Sequence, residues 1–215
     1  MSTRAKVPLV LNLSLVLGMG VLAIRQLTRW HGLAFVLGVA VATVYVLWGL
    51  WEARTSVRDS RGVSVRSDRW TLEVYALSQG ATALTAMLVD AHWPASAQTH
   101  LLLGTAFFGG GLALRVSAVR SLGEFYSHRV QVTSAHRIVD SGPYQYLRHP
   151  AYSGIFLAHV GLVLVFFNWL SVGLLLSALL PSLVARILVE ERTMASLPGY
   201  DQFCRTRARL IPLLW

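Results

Sequence analysis

Long apolar stretches alternate with short polar ones along this chain, and the apolar stretches have the length of membrane-spanning helices. Four of them lie at about 7–24, 32–51, 71–91 and 99–119. A span needs roughly 20 mostly apolar residues. A further apolar stretch from residue 152 to about 189 is interrupted at Asn168 and Pro181 and is long enough for two helices. The pattern predicts an all-α polytopic membrane helical bundle with about six spans, the last two forming a tight hairpin that turns at Asn168.

The first apolar stretch follows basic residues, as the apolar core of a signal peptide does. Further apolar stretches follow it, but it is not followed by a clear small-residue cleavage site. We therefore interpret it as the first span.

The positive charges are distributed unevenly between the predicted spans. With six spans, 17 of the 19 Lys and Arg residues fall on the side of the two termini, and only Arg25 and Arg29 fall on the other. Cytoplasmic segments of polytopic proteins carry such an excess. We expect a multi-pass protein of a prokaryotic inner or plasma membrane, with both termini and segment 115–152 in the cytoplasm.

Composition supports a membrane protein, since 54% of the residues are hydrophobic and 13% are charged, against about 25% charged in a soluble domain. The net charge of +9 could indicate nucleic-acid binding, but the arginines lie between apolar stretches, so we expect membrane lipids and no nucleic acid as partners. The single cysteine, Cys204, excludes a disulfide framework and a cysteine-cluster metal site. We expect it to be a small apolar filler.

The chain divides into N-terminal transmembrane helices over 1–114 and a C-terminal region over 115–215, which contains the polar cytoplasmic stretches. One of these includes "GPYQYLRHPAYSG" at 142–154, which we call the strap. Gly142-Pro143 signals a turn, and Pro150 keeps the preceding residue out of the helical region. The sequence predicts a rigid, non-helical strap that lines a wet cavity or, alternatively, a surface loop with Arg148 on lipid phosphates.

Arg186 and Glu190 stand four residues apart at the cytoplasmic end of the last apolar stretch. They share one helix face and can pair. Ionisable residues at the edge of a span are functional candidates, although a snorkelling Arg beside an exposed Glu is the simpler alternative. Together with the strap they suggest one pocket, open to lipid for an apolar substrate and to the cytoplasm for a soluble one. A carboxylate, an arginine and tyrosines could hold a cationic, adenine-bearing cofactor.

Three histidines, His128, His136 and His149, lie in the same cytoplasmic region. Their spacings fit no short zinc or iron motif. We therefore expect no metal site.

Several motifs follow one another from about Arg115 to the C-terminus: "LGEFYSHRVQV", "HRIVDSGPYQYLRHPAYSG", the spacing of Arg186 to Glu190-Glu191, and Tyr200 followed by "RLIP". In this order they resemble the isoprenylcysteine carboxyl methyltransferase family. These are membrane-embedded methyltransferases that also resemble phospholipid methyltransferases. Pro198-Gly199 stands where phenylalanine-glycine is usual, which leaves the register of Tyr200 open.

The resemblance implies S-adenosylmethionine as methyl donor, bound by a cytoplasmic segment between the fourth span and the hairpin. It implies Arg186 and Glu190 as catalytic residues, with Arg186 orienting the methyl-accepting group. It implies a cofactor site lined by Gln131, His136, Arg137, Ile138, Val139, Tyr144, His149, Pro150, Ala151, Tyr152 and Glu190.

The function implied is methyl transfer to a lipophilic or amphipathic acceptor, a small molecule or lipidated substrate that enters from the bilayer. A prenylcysteine-like carboxylate is the expected acceptor, and O-, S- and N-methylation stay open, as does the oligomeric state. Phospholipid N-methylation is one alternative. Another is a sterol-reductase-like enzyme that uses NADPH, although Ala151 stands where its motif would have Asn. A non-enzymatic scaffold that binds anionic lipids is the third.

Overall fold

A computed structural model describes residues 18, 21, 23–58, 70–126, 138–211 and 215 of the chain. Within these residues the fold is all-α, as predicted, and its only β-type pairing is an isolated bridge between Leu147 and Ala208. The main helices are α1 (Gly32–Arg58), α2 (Thr71–Leu88), α3 (Ala97–Leu122), α4 (Pro150–Val165), α5 (Trp169–Met194) and α6 (Tyr200–Thr206).

Three of the described helices are long and apolar enough to cross a membrane: α1 over Gly32–Glu52, α3 and α5. Helix α4 is also apolar but has 16 residues, and α2 coincides with the predicted third span. The predicted first span lies mostly outside the described residues. The chain is therefore a helical integral membrane protein, and the number of six spans stays a prediction.

Helices α3 and α4 form the closest helix pair in the described part of the bundle. Glycines make this approach possible: a Cβ at Gly154 would lie 2.6 Å from the backbone nitrogen of Arg115, and one at Gly104 would lie 2.9 Å from the carbonyl oxygen of Gly161. Such small-residue contacts are typical of helix pairs in membranes. The tight pair places Arg115 next to the first turn of α4.

Three consecutive glycines lie at 109–111 in the middle of α3. Only Gly111 is in close contact: a side chain there would collide with the backbone of Gly154 and Ala158. Gly109 and Gly110 have open space instead. One face of α3 therefore packs on α4.

The turn predicted at Asn168 is present. The Asn168 side chain accepts a 2.8 Å hydrogen bond from the Ser171 backbone and so caps the start of α5, and it donates to the Thr85 carbonyl of α2 at 3.3 Å. The two helices that meet there pack mainly on different neighbours, α4 on α3 and α5 on α2. The predicted tight hairpin is therefore not confirmed.

Pro181 does not interrupt the helix, contrary to the prediction. Helix α5 runs through it, and the turn before it, Leu175–Leu179, is a π-helix. Proline lacks a backbone donor and its ring collides with a carbonyl of the preceding turn in a regular α-helix. A widened turn just before Pro181 accommodates both changes.

The polar site lies at one end of this bundle. The ends of α1, α3 and α5 meet there with the beginnings of α2 and α4. The side chains that they contribute include Glu52, Thr71, Arg115, His149 and Arg186. This is the end that the charge distribution predicts to face the cytoplasm.

Candidate functional site

The strap (142–154) is partly helical, which corrects the non-helical prediction. Gly142, with φ of 59°, begins a 3₁₀ turn over Gly142–Gln145, and Pro143 fits its second position because the first residues of a helix need no backbone donor. Pro150 keeps His149 out of the helix, as predicted: His149 has φ of −127° and ψ of 54° and directly precedes α4.

The C-terminal segment 207–210 runs alongside the strap and satisfies its backbone. The backbone nitrogens of Arg148 and His149 donate to the carbonyls of Ala208 and Arg209 at 2.8 and 3.1 Å. The Ser153 hydroxyl donates to the Leu210 carbonyl at 2.7 Å. The strap is therefore fixed against protein.

Arg148 is part of this contact and does not extend to lipid phosphates. Its Nε donates to the Arg207 carbonyl at 2.8 Å, its Nη1 donates to Glu191 at 3.0 Å, and its side chain is only 18% exposed. The interpretation of the strap as a surface loop anchored by Arg148 is wrong.

Glu191 connects three segments at one carboxylate. Its oxygens accept from Arg148 Nη1 at 3.0 Å and from Arg209 Nε at 3.0 and 3.1 Å, and they lie 3.3 Å from His149 Nε2. Charge-assisted bonds of this kind are stronger than neutral ones. Glu191 thereby ties α5 to the strap and to segment 207–210. In the sequence, Glu191 stands out only as part of a motif, although the arginines of the strap and of segment 207–210 indicate a carboxylate that pairs with them.

Glu190 approaches the same histidine from the other side. Its Oε1 lies 3.8 Å from His149 Nδ1, and its Oε2 accepts a 2.7 Å hydrogen bond from the Tyr152 hydroxyl. The rings of His149 and Tyr152 are 5.9 Å apart. The two neighbouring glutamates therefore flank one imidazole, and the Glu190 side chain remains 21% exposed.

Arg186 is the largest side chain among those that are almost fully buried, with 2% of its surface exposed. Its Nη1 donates a 3.1 Å hydrogen bond to the Thr71 hydroxyl at the start of α2. One turn later on α2, the Tyr75 ring packs edge-on against Tyr152 at 5.9 Å. Helix α2 is thus part of the site, and the predicted pairing of Arg186 with Glu190 stays a prediction.

A buried ion pair lies beside this cluster. Arg115 binds both carboxylate oxygens of Glu52, at 3.0 and 3.2 Å, and donates to the Tyr126 hydroxyl. Trp48 Nε1 also donates to Glu52 at 3.1 Å. Glu52, Thr71 and Tyr75 come from the N-terminal region, for which the sequence predicts only spans.

Of these three residues, which were not predicted to be site residues, one had a signal in the sequence and two had none. Glu52 is an ionisable residue at the edge of a span, the same feature that singled out Arg186, and so could have been found. Thr71 and Tyr75 are ordinary residues of an apolar helix. Only the packing of α2 on α5 reveals them.

A second cluster, mainly apolar, adjoins the polar one. Its buried members are Ala118, Tyr144, Ala151, Tyr200 and Phe203, and Ile138, Val139 and Cys204 pack against them. Burial raises the pKa of the Tyr144 phenol well above its ordinary value, the negative charge of Glu190 adds to this, and Arg115 opposes it. Tyr144 is therefore a neutral phenol near neutral pH. Cys204 is a partly buried free thiol, as expected for a small filler.

The structure thus brings together all the predicted site residues that it describes. His149, Tyr152, Arg186 and Glu190 belong to the polar cluster, Ile138, Val139, Tyr144 and Ala151 belong to the apolar one, and Pro150 begins α4 between them. Gln131, His136 and Arg137 lie outside the described residues, as does His128. No group of three metal-ligating side chains occurs within the described ranges.

These features define a class: an integral membrane protein with a buried cluster of carboxylates, guanidinium groups and phenols at one end of its helices. Residues 102–196 match the model of the isoprenylcysteine carboxyl methyltransferase (ICMT) family. The matched range contains Arg115, the strap, Arg186 and both glutamates. The comparison confirms the resemblance to this family over these residues.

Two proteins with the name protein-S-isoprenylcysteine O-methyltransferase are similar to the chain. The one from Schizosaccharomyces pombe is 33% identical over 108 residues, which are 48% of this chain and 46% of that protein. The one from Tribolium castaneum is 32% identical over 96 residues, which are 44% of this chain and 34% of that protein. The chain spans less than half the length of the curated relatives that it matches.

Proposed function

We propose that this protein transfers a methyl group from S-adenosylmethionine to the carboxylate of a lipophilic acceptor of the prenylcysteine type. The observation that carries the proposal is the cluster of Arg186, Glu190, His149 and Tyr152 at the end of a lipid-exposed helical bundle, in which Arg186 and His149 are buried and Glu190 is partly exposed. The similarity to the family and to the two O-methyltransferases supports this reaction over the reductase and the phospholipid N-methylation alternatives.

The two clusters fit the methyl donor chemically. When bound, S-adenosylmethionine supplies a methyl group on a cationic sulfur, whose carbon–sulfur bond breaks as the acceptor oxygen forms the new bond. Glu190 offers a partly exposed carboxylate, held in place by Tyr152, for the positive charges of the donor. The aromatic and aliphatic side chains around Tyr144 would hold the adenine ring.

The residues proposed to bind the donor are those implied by the family pattern. They are Gln131, His136, Arg137, Ile138, Val139, Tyr144, His149, Pro150, Ala151, Tyr152 and Glu190.

Arg186 is proposed to orient the acceptor. A guanidinium binds both oxygens of a carboxylate in one plane, and the hydrogen bond to Thr71 restricts its own orientation. Because a carboxylate is already ionised near neutral pH, the chain needs no general base. Its contribution is to hold the acceptor in line and to keep water away, which suits a site whose key arginine is almost fully buried.

The acceptor is proposed to enter from the bilayer. Large apolar side chains on the outer faces of the helices are exposed, among them Val36, Leu47, Leu102 and Leu176, as expected for surfaces in contact with lipid. We further propose six spans with both termini and the strap on the cytoplasmic side, so that a soluble donor reaches the site from that side.

Binding measurements test the proposal directly. Calorimetry on the detergent-solubilised protein should detect S-adenosylmethionine and its demethylated product, S-adenosylhomocysteine, and no binding of NADPH. Binding of NADPH without either sulfur compound would support the reductase alternative and contradict the proposal.

A further inference from the structure

The hydroxyl of Tyr75 is buried and has no hydrogen-bond partner among the described residues. Only 5% of the surface of this residue is exposed. Enclosing a hydroxyl without a partner is unfavourable, and buried polar atoms are otherwise almost always paired. The unpaired hydroxyl therefore indicates a position that a ligand atom fills.

The surroundings of Tyr75 connect it to the proposed acceptor site. Tyr75 lies four residues after Thr71 and therefore on the same face of α2, and the Thr71 hydroxyl accepts a hydrogen bond from Arg186. Its ring packs edge-on against Tyr152. The charges of Arg115 and Glu52 act on it most strongly, and those of Arg186 and Glu190 also reach it.

Other polar groups nearby are less suited to the same role. Arg115 is bound at two nitrogens by Glu52, which neutralises its charge locally. Six other buried polar atoms lack a partner among the described residues: Gln26 Oε1, Trp93 Nε1, Thr105 Oγ1, His159 Nε2, Tyr200 OH and Arg207 Nε. His159 lies in α4 against the edge-on rings of Tyr45 and Trp48, each 6.0 Å away, and the Tyr200 hydroxyl belongs to the apolar cluster around Tyr144, on the proposed donor side. Tyr75 is the one that adjoins the proposed acceptor position.

We propose that Tyr75 is an acceptor-binding residue whose hydroxyl donates a hydrogen bond to a carboxylate oxygen of the substrate, next to Arg186. This inference rests on the proposed function and names the part of the substrate that is recognised. An ionised carboxylate has about four lone-pair sites, so it accepts from a phenol in addition to a guanidinium. A donor on the oxygen that does not react leaves the other oxygen oriented towards the methyl group.

The proposal also explains how helix α2 contributes to specificity. A phenol and a guanidinium together favour an anion with two oxygens, and a neutral acceptor such as an alcohol does not satisfy both donors. The site therefore distinguishes a carboxylate from a hydroxyl group at the same position of an otherwise identical lipid.

The test is a comparison of two ligands and three proteins. Full-length wild type, Tyr75→Phe and Tyr45→Phe are reconstituted in lipid nanodiscs with S-adenosylhomocysteine. Their affinities are measured for an N-acylated S-farnesylcysteine and for the matching alcohol, in which CH2OH replaces the carboxylate. Tyr45 is the control because it is a buried tyrosine that packs on Trp48, Phe108 and His159.

Loss of a hydrogen bond to a charged group predicts that Tyr75→Phe binds the carboxylate about tenfold more weakly than wild type. The alcohol should show a clearly smaller change, the affinity for S-adenosylhomocysteine should not change, and Tyr45→Phe should bind both ligands as wild type does.

The outcomes separate the two claims. Suppose that wild type binds both ligands and S-adenosylhomocysteine. The role of Tyr75 alone is then overturned if Tyr75→Phe binds the carboxylate as wild type does, or if it loses the same affinity for the carboxylate and the alcohol. Wild type that binds neither the carboxylate nor S-adenosylhomocysteine overturns the proposed function, and the role of Tyr75 with it.

Discussion

The Tyr152 hydroxyl donates a 2.7 Å hydrogen bond to Glu190, 38 residues further along the chain. This bond joins the first turn of α4 to the last turns of α5. It fixes one oxygen of Glu190, while the side chain keeps some exposure. In the proposed enzyme this carboxylate faces the positive charge of the methyl donor.

Glu190→Gln is predicted to weaken binding of S-adenosylmethionine, because the charge is lost while the shape is kept. Charge-assisted bonds contribute roughly 1.5–3 kcal/mol, so the dissociation constant should rise about tenfold or more. Calorimetry measures this. Glu73→Gln, at an exposed glutamate of α2, is the matched control and should bind as wild type does. Equal affinities of both variants and wild type would exclude Glu190 from the donor site.

Arg186→Lys is predicted to lower turnover and to leave donor binding intact. Lysine keeps the charge but loses the planar fork that aligns a carboxylate, and a small misplacement of a reacting group costs on the order of 100-fold in rate. Methyl transfer should therefore fall by about that factor. Arg192→Lys changes an exposed arginine of the same helix and should retain full activity. A variant at Arg186 that turns over normally would remove this residue from the mechanism.

Glu191→Gln is predicted to destabilise the contact between the strap and segment 207–210. The variant removes the negative charge that Arg148 and Arg209 share, and hydrogen bonds to charged groups contribute about 1.5–3 kcal/mol each. The melting temperature should fall, and a protease should cleave near residue 207 at a concentration that leaves wild type intact. Asp201→Asn, at an exposed position of α6, is the control. A variant at Glu191 as resistant and as stable as wild type would contradict this role.

Gly111→Val is predicted to separate α3 from α4. Its side chain would meet the backbone of Gly154 and Ala158, and overpacking costs about 1–3 kcal/mol or more where backbone must move. Thermal unfolding in detergent should occur at a lower temperature. Gly110→Val introduces the same side chain in the same helix where space is open, so it should be nearly neutral. Identical melting of the two variants would show that this helix contact is not close.

The sequence predicted the helices and much of the site because both have local signals. Apolar stretches of sufficient length marked α1 to α5, Pro150 marked the start of α4, and the spacing of Arg186 and Glu190 placed them on one face. Pro181 was misjudged, because a π-helical turn can absorb a proline inside a helix. Arg148 was misjudged because the pairing of the strap with segment 207–210 is a contact between residues about 60 positions apart.

The contributions of Thr71 and Tyr75 to the site could not be predicted from local sequence patterns. They depend on which face of α2 meets α5, and the alternation of apolar residues in a lipid-exposed helix does not specify that face. Glu52 did carry a signal, as an ionisable residue at the end of a span.

The most direct test of the central claim is methyl transfer itself. Protein in nanodiscs is incubated with S-adenosylmethionine that carries a labelled methyl group and with an N-acylated S-farnesylcysteine, and the lipid product is then treated with mild base. We predict labelled lipid with wild type, release of the label as methanol by base, and almost no label with Arg186→Lys. Label that resists base, or a lipid that stays unlabelled with wild type, would contradict this function.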